Sequence, residues 1–259
     1  MMVTICVFSL FRPVELEVRP ARANIVIVEQ NGRRQTLEGS GAMKLRGPAI
    51  AGGRDGAETA FILSVPGKIR REFHGRLEVR VESGHLLAIV RMDRENAVAS
   101  IVAAESPPSA PLEARKAQAV VARSFLIAAR GRHHDGFDFC DTTHCQFLRE
   151  APAAGSLAAK AAEETKDLVV AYQGRAIPAL YSATCGGRTR SLEEAGWNAE
   201  AYPYFAVECP VRGAVAGHRI GMCQEGAAQM ARSGKTFREI LALYFPATTV
   251  TLWRDPHGL

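Results

Sequence analysis

Residues 111–131 read PLEARKAQAVVARSFLIAARG, and the prediction of the fold starts from this segment. A proline in the first turn and a glycine at the end predict one helix over residues 111–130. Because apolar residues occupy nearly every direction around it, we expect the helix to be buried. Lys116 and Arg123 lie seven residues apart on one line of it, which Arg130 continues. Such charges need partners or a wet cleft, and periodicity alone leaves a narrow solvated stripe equally open.

The segments on either side of this helix differ in character. Residues 1–95 contain short alternating or β-branched runs separated by Gly and Asn turns, and the Asn-Gly step in QNGRR predicts a hairpin. ENAVASIVAAE, residues 95–105, predicts a helix that SPPSAP ends. Further helices and strands follow to about residue 245. The sequence therefore predicts an α+β fold, with a β-rich part over 1–95 and a mixed helix and strand core over 96–259.

Composition and charge exclude several classes of protein. The chain has 259 residues, of which 47% are hydrophobic and 23% charged, as in ordinary globular domains. Its net charge of +5 is spread along the sequence without a basic run, which argues against a nucleic-acid partner. No apolar stretch approaches the length of a membrane span. The start, MMVTICVFSLFRP, lacks the basic region of a signal peptide, so we interpret TICVFSLF as a first strand.

The stretch HHDGFDFCDTTHCQF, residues 133–147, concentrates metal-binding side chains. Four residues separate Cys140 from Cys145, His144 adjoins the second cysteine, and His133 and His134 lie upstream. Two thiolates and two imidazoles would close a tetrahedral zinc site. A thiol nucleophile activated by a neighbouring histidine is a second interpretation. Two buried cysteines beside a polar turn are a third, and the residues alone leave all three open.

Three further features could take part in chemistry. Glu105 ends an apolar helix, where burial would raise the pKa of a carboxyl group toward that of a general acid, although an isolated Glu at a helix end is more often a surface residue. YSATCGGRTRS, residues 181–191, comes after a predicted strand and contains two consecutive glycines. Glycines there would let a ligand approach the backbone closely. GHRIGMCQEGA, residues 217–227, places His218 between glycine-rich turns and a helix, as a sugar contact or a locally satisfied polar residue.

In this order, the motifs resemble those of the SpoIID/LytB family of cell-wall proteins. The family's acidic E-x-P followed by EALKAQAVAARTY resembles AAESPPSAPLEARKAQAVVARSF, and its H…DxCDTTHCQ is similar to residues 134–146. Its YSxxxGGxT resembles YSATCGGRT, and its GHGVGMSQYGA resembles GHRIGMCQEGA. FHGRLEVRVESGHLLAIV, residues 73–90, is similar to the family's strands before the first motif. The resemblance therefore extends over almost the whole chain.

The resemblance implies a peptidoglycan lytic transglycosylase with a glycan-binding cleft, which cleaves strands stripped of stem peptides and leaves 1,6-anhydro-N-acetylmuramyl ends. Its catalytic acid and base would be Glu105. It also implies contacts to the glycan strand from Lys116, Arg123, Tyr181 and His218. For Lys116 and Arg123, this favours a functional line on the long helix. The zinc ligands it implies, for a structural rather than catalytic ion, are His134, Cys140, His144 and Cys145.

The resemblance further implies an extracytoplasmic location at the cell envelope, with peptidoglycan glycan strands as partner and a cell-wall amidase or another wall hydrolase as a second. A non-catalytic glycan-binding modifier of such an amidase is the alternative, and a zinc or cysteine hydrolase is a third hypothesis. Arg219, Cys223 and Glu225 depart from the family pattern, which puts the contribution of the His218 motif in question. Cys185 and Cys209 are additional to it, and outside the cytoplasm we expect them to form a disulfide.

Overall fold

The structure is a computed structural model that describes residues 1–133, 136–198 and 202–254. The chain divides into two compact units. The first comprises Met1–Ser100 and Gly131–Ala151, and the second comprises Ile101–Arg130 and the chain from Pro152 onward. The first unit is a β-sheet and the second combines helices with short strands, so the predicted α+β fold class is confirmed.

The first unit is built on one sheet of ten strands. The strands β1–β10 are Met2–Val7, Leu16–Pro20, Val26–Gln30, Arg33–Leu37, Met43–Leu45, Ala49–Gly52, Thr59–Val65, Ile69–Glu82, His85–Asp93 and Phe139–Cys140. Two 3₁₀ turns, Ser9–Phe11 and Arg54–Gly56, interrupt the connections. Most strands alternate buried and exposed side chains, as expected where one face of a sheet covers a core.

Two tight hairpins fix the register of this sheet. Asn31 and Gly32 both have positive φ and join β3 to β4, which pair from Gln30 and Arg33 onward. Ser83 and Gly84 do the same between β8 and β9. Two residues in this conformation match the right-handed twist of the flanking strands. The hairpin predicted from the Asn-Gly step is therefore confirmed.

The second unit packs helices around a small sheet. Its helices, with α1 starting in the first unit, are α1 Arg94–Glu105, α2 Leu112–Ala128, α3 Leu157–Glu164, α4 Gln224–Arg232 and α5 Phe237–Tyr244. Its strands β11–β17 are Leu168–Tyr172, Arg175–Ala176, Tyr181–Ser182, Thr184–Cys185, Val215–Ala216, Met222–Cys223 and Thr249–Leu252. Helix α2 contacts α3, α4, α5 and β11, and its side chains are buried from Ala114 to Leu126 except Lys116. The burial predicted for the 111–130 segment is confirmed.

The segment 131–151 belongs to the β-rich unit, whereas the predicted boundary at residue 95 placed it in the second. Strand β10 pairs in parallel with β1, with Ile5 opposite Phe139 and Cys6 opposite Cys140. This pairing joins residues more than 130 positions apart in the sequence, a contact that no local pattern announces. In the part of the chain that the structure describes, no helix combines the length and apolarity needed to cross a membrane.

Candidate functional site

Glu105 lies at the carboxyl end of α1, where the last turn of a helix leaves carbonyl groups without partners inside the helix. Gln224 Nε2 donates to the Glu105 carbonyl oxygen at 2.8 Å and to Gln118 Oε1 at 3.2 Å. The Glu105 side chain is half-buried and accepts a hydrogen bond from the Tyr181 hydroxyl. Burial, followed by the charge of Glu105, raises the pKa of Tyr181, so the phenol stays protonated and donates.

Tyr181 and His218, both predicted to contact substrate, lie together. Tyr181 begins β13, which pairs in parallel with β16, so Met222 lies opposite it. His218 Nδ1 accepts from the Ile220 N–H at 3.0 Å, and its other ring nitrogen donates to the Tyr181 carbonyl. Burial lowers the pKa of His218, which keeps the ring neutral near pH 7. With both nitrogens bound to backbone, His218 orients the Tyr181 main chain.

Several polar atoms around Glu105 are buried without a partner. Ser106 Oγ, Gln118 Nε2 and Ser182 Oγ have no hydrogen-bond partner among the described residues. They belong respectively to the neighbour of Glu105, the partner of Gln224 and the neighbour of Tyr181. Native proteins satisfy most buried polar groups, so these three atoms are exceptions within the described part of the chain.

Lys116, predicted as a cleft residue, is held in an ion-pair network that joins three helices. Its Nζ lies 2.7 Å from Glu113 Oε1 and 2.6 Å from Glu164 Oε2. Glu113 Oε2 also accepts the N–H of Phe237, the first residue of α5. These hydrogen bonds raise the pKa of Lys116, and 15% of its side chain is exposed. Lys116 is therefore tied to acidic groups of its own unit.

Arg123, the other predicted cleft cation, has 0% exposure. Its guanidinium donates to the carbonyl oxygens of Leu168 at 3.0 Å and Ala162 at 3.2 Å, at the start of β11 and near the end of α3. A buried guanidinium requires such acceptors. In this conformation Arg123 holds α2 against α3 and β11 and has no surface to offer a glycan strand. Lys116 and Arg123, from which the functional line on α2 was predicted, therefore both bind other groups of this protein in the structure.

Three residues of the site were not singled out in the sequence. Gln224 is the first residue of α4 and is buried although it is polar. Arg115 donates to the carbonyl oxygens of Pro107, Pro108 and Ala110, and so fixes the turn after Glu105. Trp197 is 50% exposed, and its ring centroid lies 5.9 Å from that of His218. The sequence shows that a tryptophan is present at this position, but only the structure shows that its ring is exposed beside His218.

Replacing Gln224 with Leu is expected to reduce the activity of this site about tenfold and to destabilise the fold by about 1–3 kcal/mol, because it leaves the Glu105 carbonyl and Gln118 without their shared donor. Urea unfolding and any turnover assay measure the two effects. Gln229→Leu, an exposed position on the same helix, is the matched control. Equal behaviour of the two variants would contradict a positioning role for Gln224.

A separate cluster of metal-binding side chains lies in the first unit. The ligand atoms of His133, Cys140, His144 and Cys145 all lie within 4.8 Å of one another. Cys145 Sγ is 3.4 Å from His133 Nε2 and 3.6 Å from His144 Nδ1, and the latter is 3.8 Å from Cys140 Sγ. Zinc bonds of about 2.3 Å to sulfur and about 2.0 Å to nitrogen give tetrahedral S···N edges of about 3.5 Å. The cluster therefore has the donor set and spacing of a four-ligand metal centre.

The two thiols of this cluster are hydrogen-bonded to each other. A hydrogen bond with Cys145 lowers the pKa of Cys140, against the opposing effect of burial, and the same bond raises the pKa of Cys145. The four predicted ligands included His134, which lies outside the described residues; the neighbouring His133 is the second imidazole that the structure places in the cluster.

Acidic residues anchor the cluster to the sheet. Asp138 Oδ2 accepts from the backbone N–H and the hydroxyl of Thr4, both at 2.9 Å. Asp141 Oδ2 accepts from the Phe8 N–H and from Arg71, both at 3.1 Å. The Arg71 guanidinium and the Asp141 carboxylate are both buried. Two carboxylates on either side of Cys140 therefore hold the loop along β1 and fix the side chains of the cluster in place.

The fold and these two sites define a mixed α+β protein with a half-buried carboxyl–phenol pair and a Cys/His cluster. Comparison with known proteins is consistent with this description. Residues 82–172 match the model of the SpoIID family, described as stage II sporulation protein, so the predicted resemblance is confirmed. The matched residues include Glu105 and the Cys/His cluster.

Two curated proteins resemble parts of the chain. An uncharacterized protein of Brachyspira hyodysenteriae (strain ATCC 49526 / WA1) is 28% identical over 124 residues, which is 47% of this chain and 34% of that protein. A protein of Bacillus subtilis (strain 168) named amidase enhancer is 36% identical over 105 residues, which is 40% of this chain and 14% of that protein. The alignments thus extend over about a third and about a seventh of these relatives.

Proposed function

We propose that this chain is a peptidoglycan lytic transglycosylase that cleaves glycan strands freed of their stem peptides. The observation that carries the proposal is Glu105, which lies within the segment that matches the SpoIID family. Its backbone carbonyl oxygen accepts a hydrogen bond from Gln224, and its carboxyl group accepts one from the Tyr181 hydroxyl. Ser106 and Gln118 also carry buried polar atoms without a partner among the described residues, and these are candidate donors and acceptors for sugar hydroxyls.

In the proposed reaction Glu105 serves first as acid and then as base. The protonated carboxyl group donates its proton to the oxygen that links C1 of N-acetylmuramic acid to the next sugar, and the C1–O bond breaks. The C6 hydroxyl oxygen of the same sugar attacks C1 and closes a 1,6-anhydro ring. The C6 hydroxyl proton passes to the Glu105 carboxylate, which restores the acid. No water is consumed, and no second carboxylate is required, in contrast to hydrolytic glycosidases.

The other site residues support this reaction without chemistry of their own. The Tyr181 hydroxyl donates to the carboxylate and orients it after the first proton transfer. His218 fixes the Tyr181 backbone, and Trp197 beside it offers an aromatic face to a sugar ring. Lys116 and Arg123 act through the packing of α2, because their cationic groups bind Glu113, Glu164 and main-chain carbonyls. We assign them as positioning residues.

We further propose that the Cys/His cluster binds zinc and that the ion is structural. Four donors close a tetrahedral shell and leave no position for a substrate. His133, Cys140, His144 and Cys145 would hold it, and the ion would cross-link the loop after α2 to the sheet. An extracytoplasmic location, with peptidoglycan as substrate, follows from the same proposal.

The relative named amidase enhancer favours one alternative, in which the chain binds glycan and increases the action of a separate cell-wall amidase. The two functions differ in what the chain does alone. Incubating it with peptide-stripped strands and with intact peptidoglycan, with and without a wall amidase, and measuring strand length by chromatography, separates them. Shortening of stripped strands by the chain alone supports the transglycosylase. If the stripped strands stay intact and the chain only increases cleavage of intact peptidoglycan by the amidase, the alternative function would replace the transglycosylase.

A further inference from the structure

Three cysteines in the second unit converge in its hydrophobic core. Cys185 ends β14, Cys223 ends β16, and Cys209 lies in the connection between them. Their exposures are 0%, 2% and 0% for Cys185, Cys209 and Cys223, and their three Sγ atoms lie within 4.8 Å of one another. All six cysteines are free thiols, so the expected Cys185–Cys209 disulfide is not present, and a third sulfur joins the pair.

Separate elements of the unit bring these sulfurs together. Cys185 lies on the strand pair β14–β15, opposite Val215. The Cys209 N–H donates to the Gly187 carbonyl at 2.9 Å. Cys223 lies opposite Ser182 and caps the amino end of α4. Because the three residues come from distinct segments, their meeting is a property of the tertiary fold.

Each sulfur also accepts a hydrogen bond from a backbone N–H two or three residues later. The donors are Gly187 to Cys185, Val211 to Cys209 and Gly226 to Cys223, the last at 3.3 Å. The Tyr244 hydroxyl lies 3.1 Å from Cys209 Sγ and adds a fourth polar contact. Donors aimed at sulfur stabilise thiolates, and metal-bound thiolates carry them as outer partners.

Gly226 provides the space for this arrangement. A Cβ atom at that position would lie 2.5 Å from Cys209 Sγ and would collide with the Tyr244 hydroxyl. The residue is in α4 and needs no unusual backbone conformation. A glycine here therefore serves the contact between the helix and the sulfur cluster, at some cost to helix stability.

We propose that Cys185, Cys209 and Cys223 form a second metal site, distinct from the Cys/His cluster, which binds a thiophilic cation such as Zn²⁺ through three thiolates. Soft thiolate ligands select such cations, and three sulfur atoms within 4.8 Å of one another supply the donors. Binding replaces three thiol protons, which leave to solvent, with three metal–sulfur bonds. One excess negative charge remains, and the N–H and Tyr244 O–H donors on the sulfurs offset its burial.

The position of the cluster relates it to the site around Glu105. Cys223 precedes Gln224, which holds the Glu105 carbonyl, and lies opposite Ser182, which follows Tyr181. A cation bound here fixes the pairing of β13 with β16 and the start of α4. Loss of the metal therefore loosens Gln224, the partner of the Glu105 backbone carbonyl, and Tyr181, the partner of its side chain, whether or not the chain is a transglycosylase.

Native mass spectrometry of the chain, purified anaerobically with a thiol reductant and Zn²⁺, tests this proposal. We expect two zinc ions per chain, one after Cys223→Ser, one after Cys145→Ser and two after Cys6→Ala, which removes a buried cysteine outside both clusters. The wild-type count stands even if a variant fails to fold.

One zinc ion per wild-type chain, lost on Cys145→Ser, would overturn the proposal. Denatured mass analysis after alkylation then identifies the actual state of the three cysteines. A disulfide between two of them, or three metal-free thiols in the folded protein, would each contradict a metal site. The readout is independent of activity, so it is unaffected if the proposed reaction is wrong.

Discussion

Glu105→Gln is expected to lower the rate of glycan cleavage by roughly 10²–10⁴-fold, the usual contribution of a general acid–base group. A carboxamide can neither donate the proton to the leaving oxygen nor accept one from the C6 hydroxyl. The side chain keeps its size and can still accept from the Tyr181 hydroxyl, so binding of strands and the melting temperature should change little. Cleavage rate and co-sedimentation with stripped strands, measured on the same preparation, give both quantities.

Glu163→Gln is the matched control for this variant. It removes the same charge in the same unit, from an exposed position on α3. We expect its cleavage rate to equal that of the wild type. If Glu105→Gln also retained full cleavage, the acid–base role would be wrong and the carboxyl group would serve only to hold Tyr181.

If the Cys/His cluster binds zinc as proposed, loss of the ion is expected to produce the largest change in stability. A structural zinc site contributes several kcal/mol to folding, which for a domain of this size corresponds to a fall in melting temperature of roughly 10 °C. Cys145→Ser should show this fall in scanning calorimetry, and a chelator should reproduce it with the wild type. Thr143→Ala, an exposed change in the same loop, should leave the melting temperature unaltered.

The two adjacent histidines allow a sharper test of the same centre. The structure places His133 Nε2 3.4 Å from Cys145 Sγ, whereas the family resemblance assigns the ligand to His134. We expect His133→Ala to weaken zinc binding more than about 100-fold, as loss of a direct ligand should exceed the effect of an outer partner. His134→Ala should leave it nearly intact. The reverse ranking in a competition with a zinc chelator would give the ligand to His134.

Local patterns predicted the helices well, because their signals lie within single segments. The proline-to-glycine stretch around α2, the apolar run of α1 and the Asn-Gly hairpin all have the predicted form. Strand β8 runs from Ile69 to Glu82 and contains a glycine, Gly75, in its interior. Gly75 marks a close approach, as a Cβ there would collide with the Arg91 carbonyl oxygen.

The side-chain contacts of the site were less accessible from sequence. The seven-residue spacing of Lys116 and Arg123 is the same whether the arginine faces a cleft or main-chain carbonyl groups. Only the tertiary fold places Arg123 against Ala162 and Leu168. Gln224 and Glu105 are 119 positions apart, and neither residue type indicates the other. The Cys/His cluster was predictable because four of its candidate ligands lie within a short loop, whereas the three-cysteine cluster is assembled from distant segments.

The central claim is that Glu105 catalyses an intramolecular cleavage of the glycan strand. Mass spectrometry of the ends of peptide-stripped strands, after incubation with wild type and with Glu105→Gln, tests it most directly. We predict 1,6-anhydro-N-acetylmuramyl ends with the wild type and intact strands with the variant. Reducing ends that carry an added water would show a hydrolase. Strands that stay intact with both proteins, while both proteins still bind them, would show that the chain is a binding module.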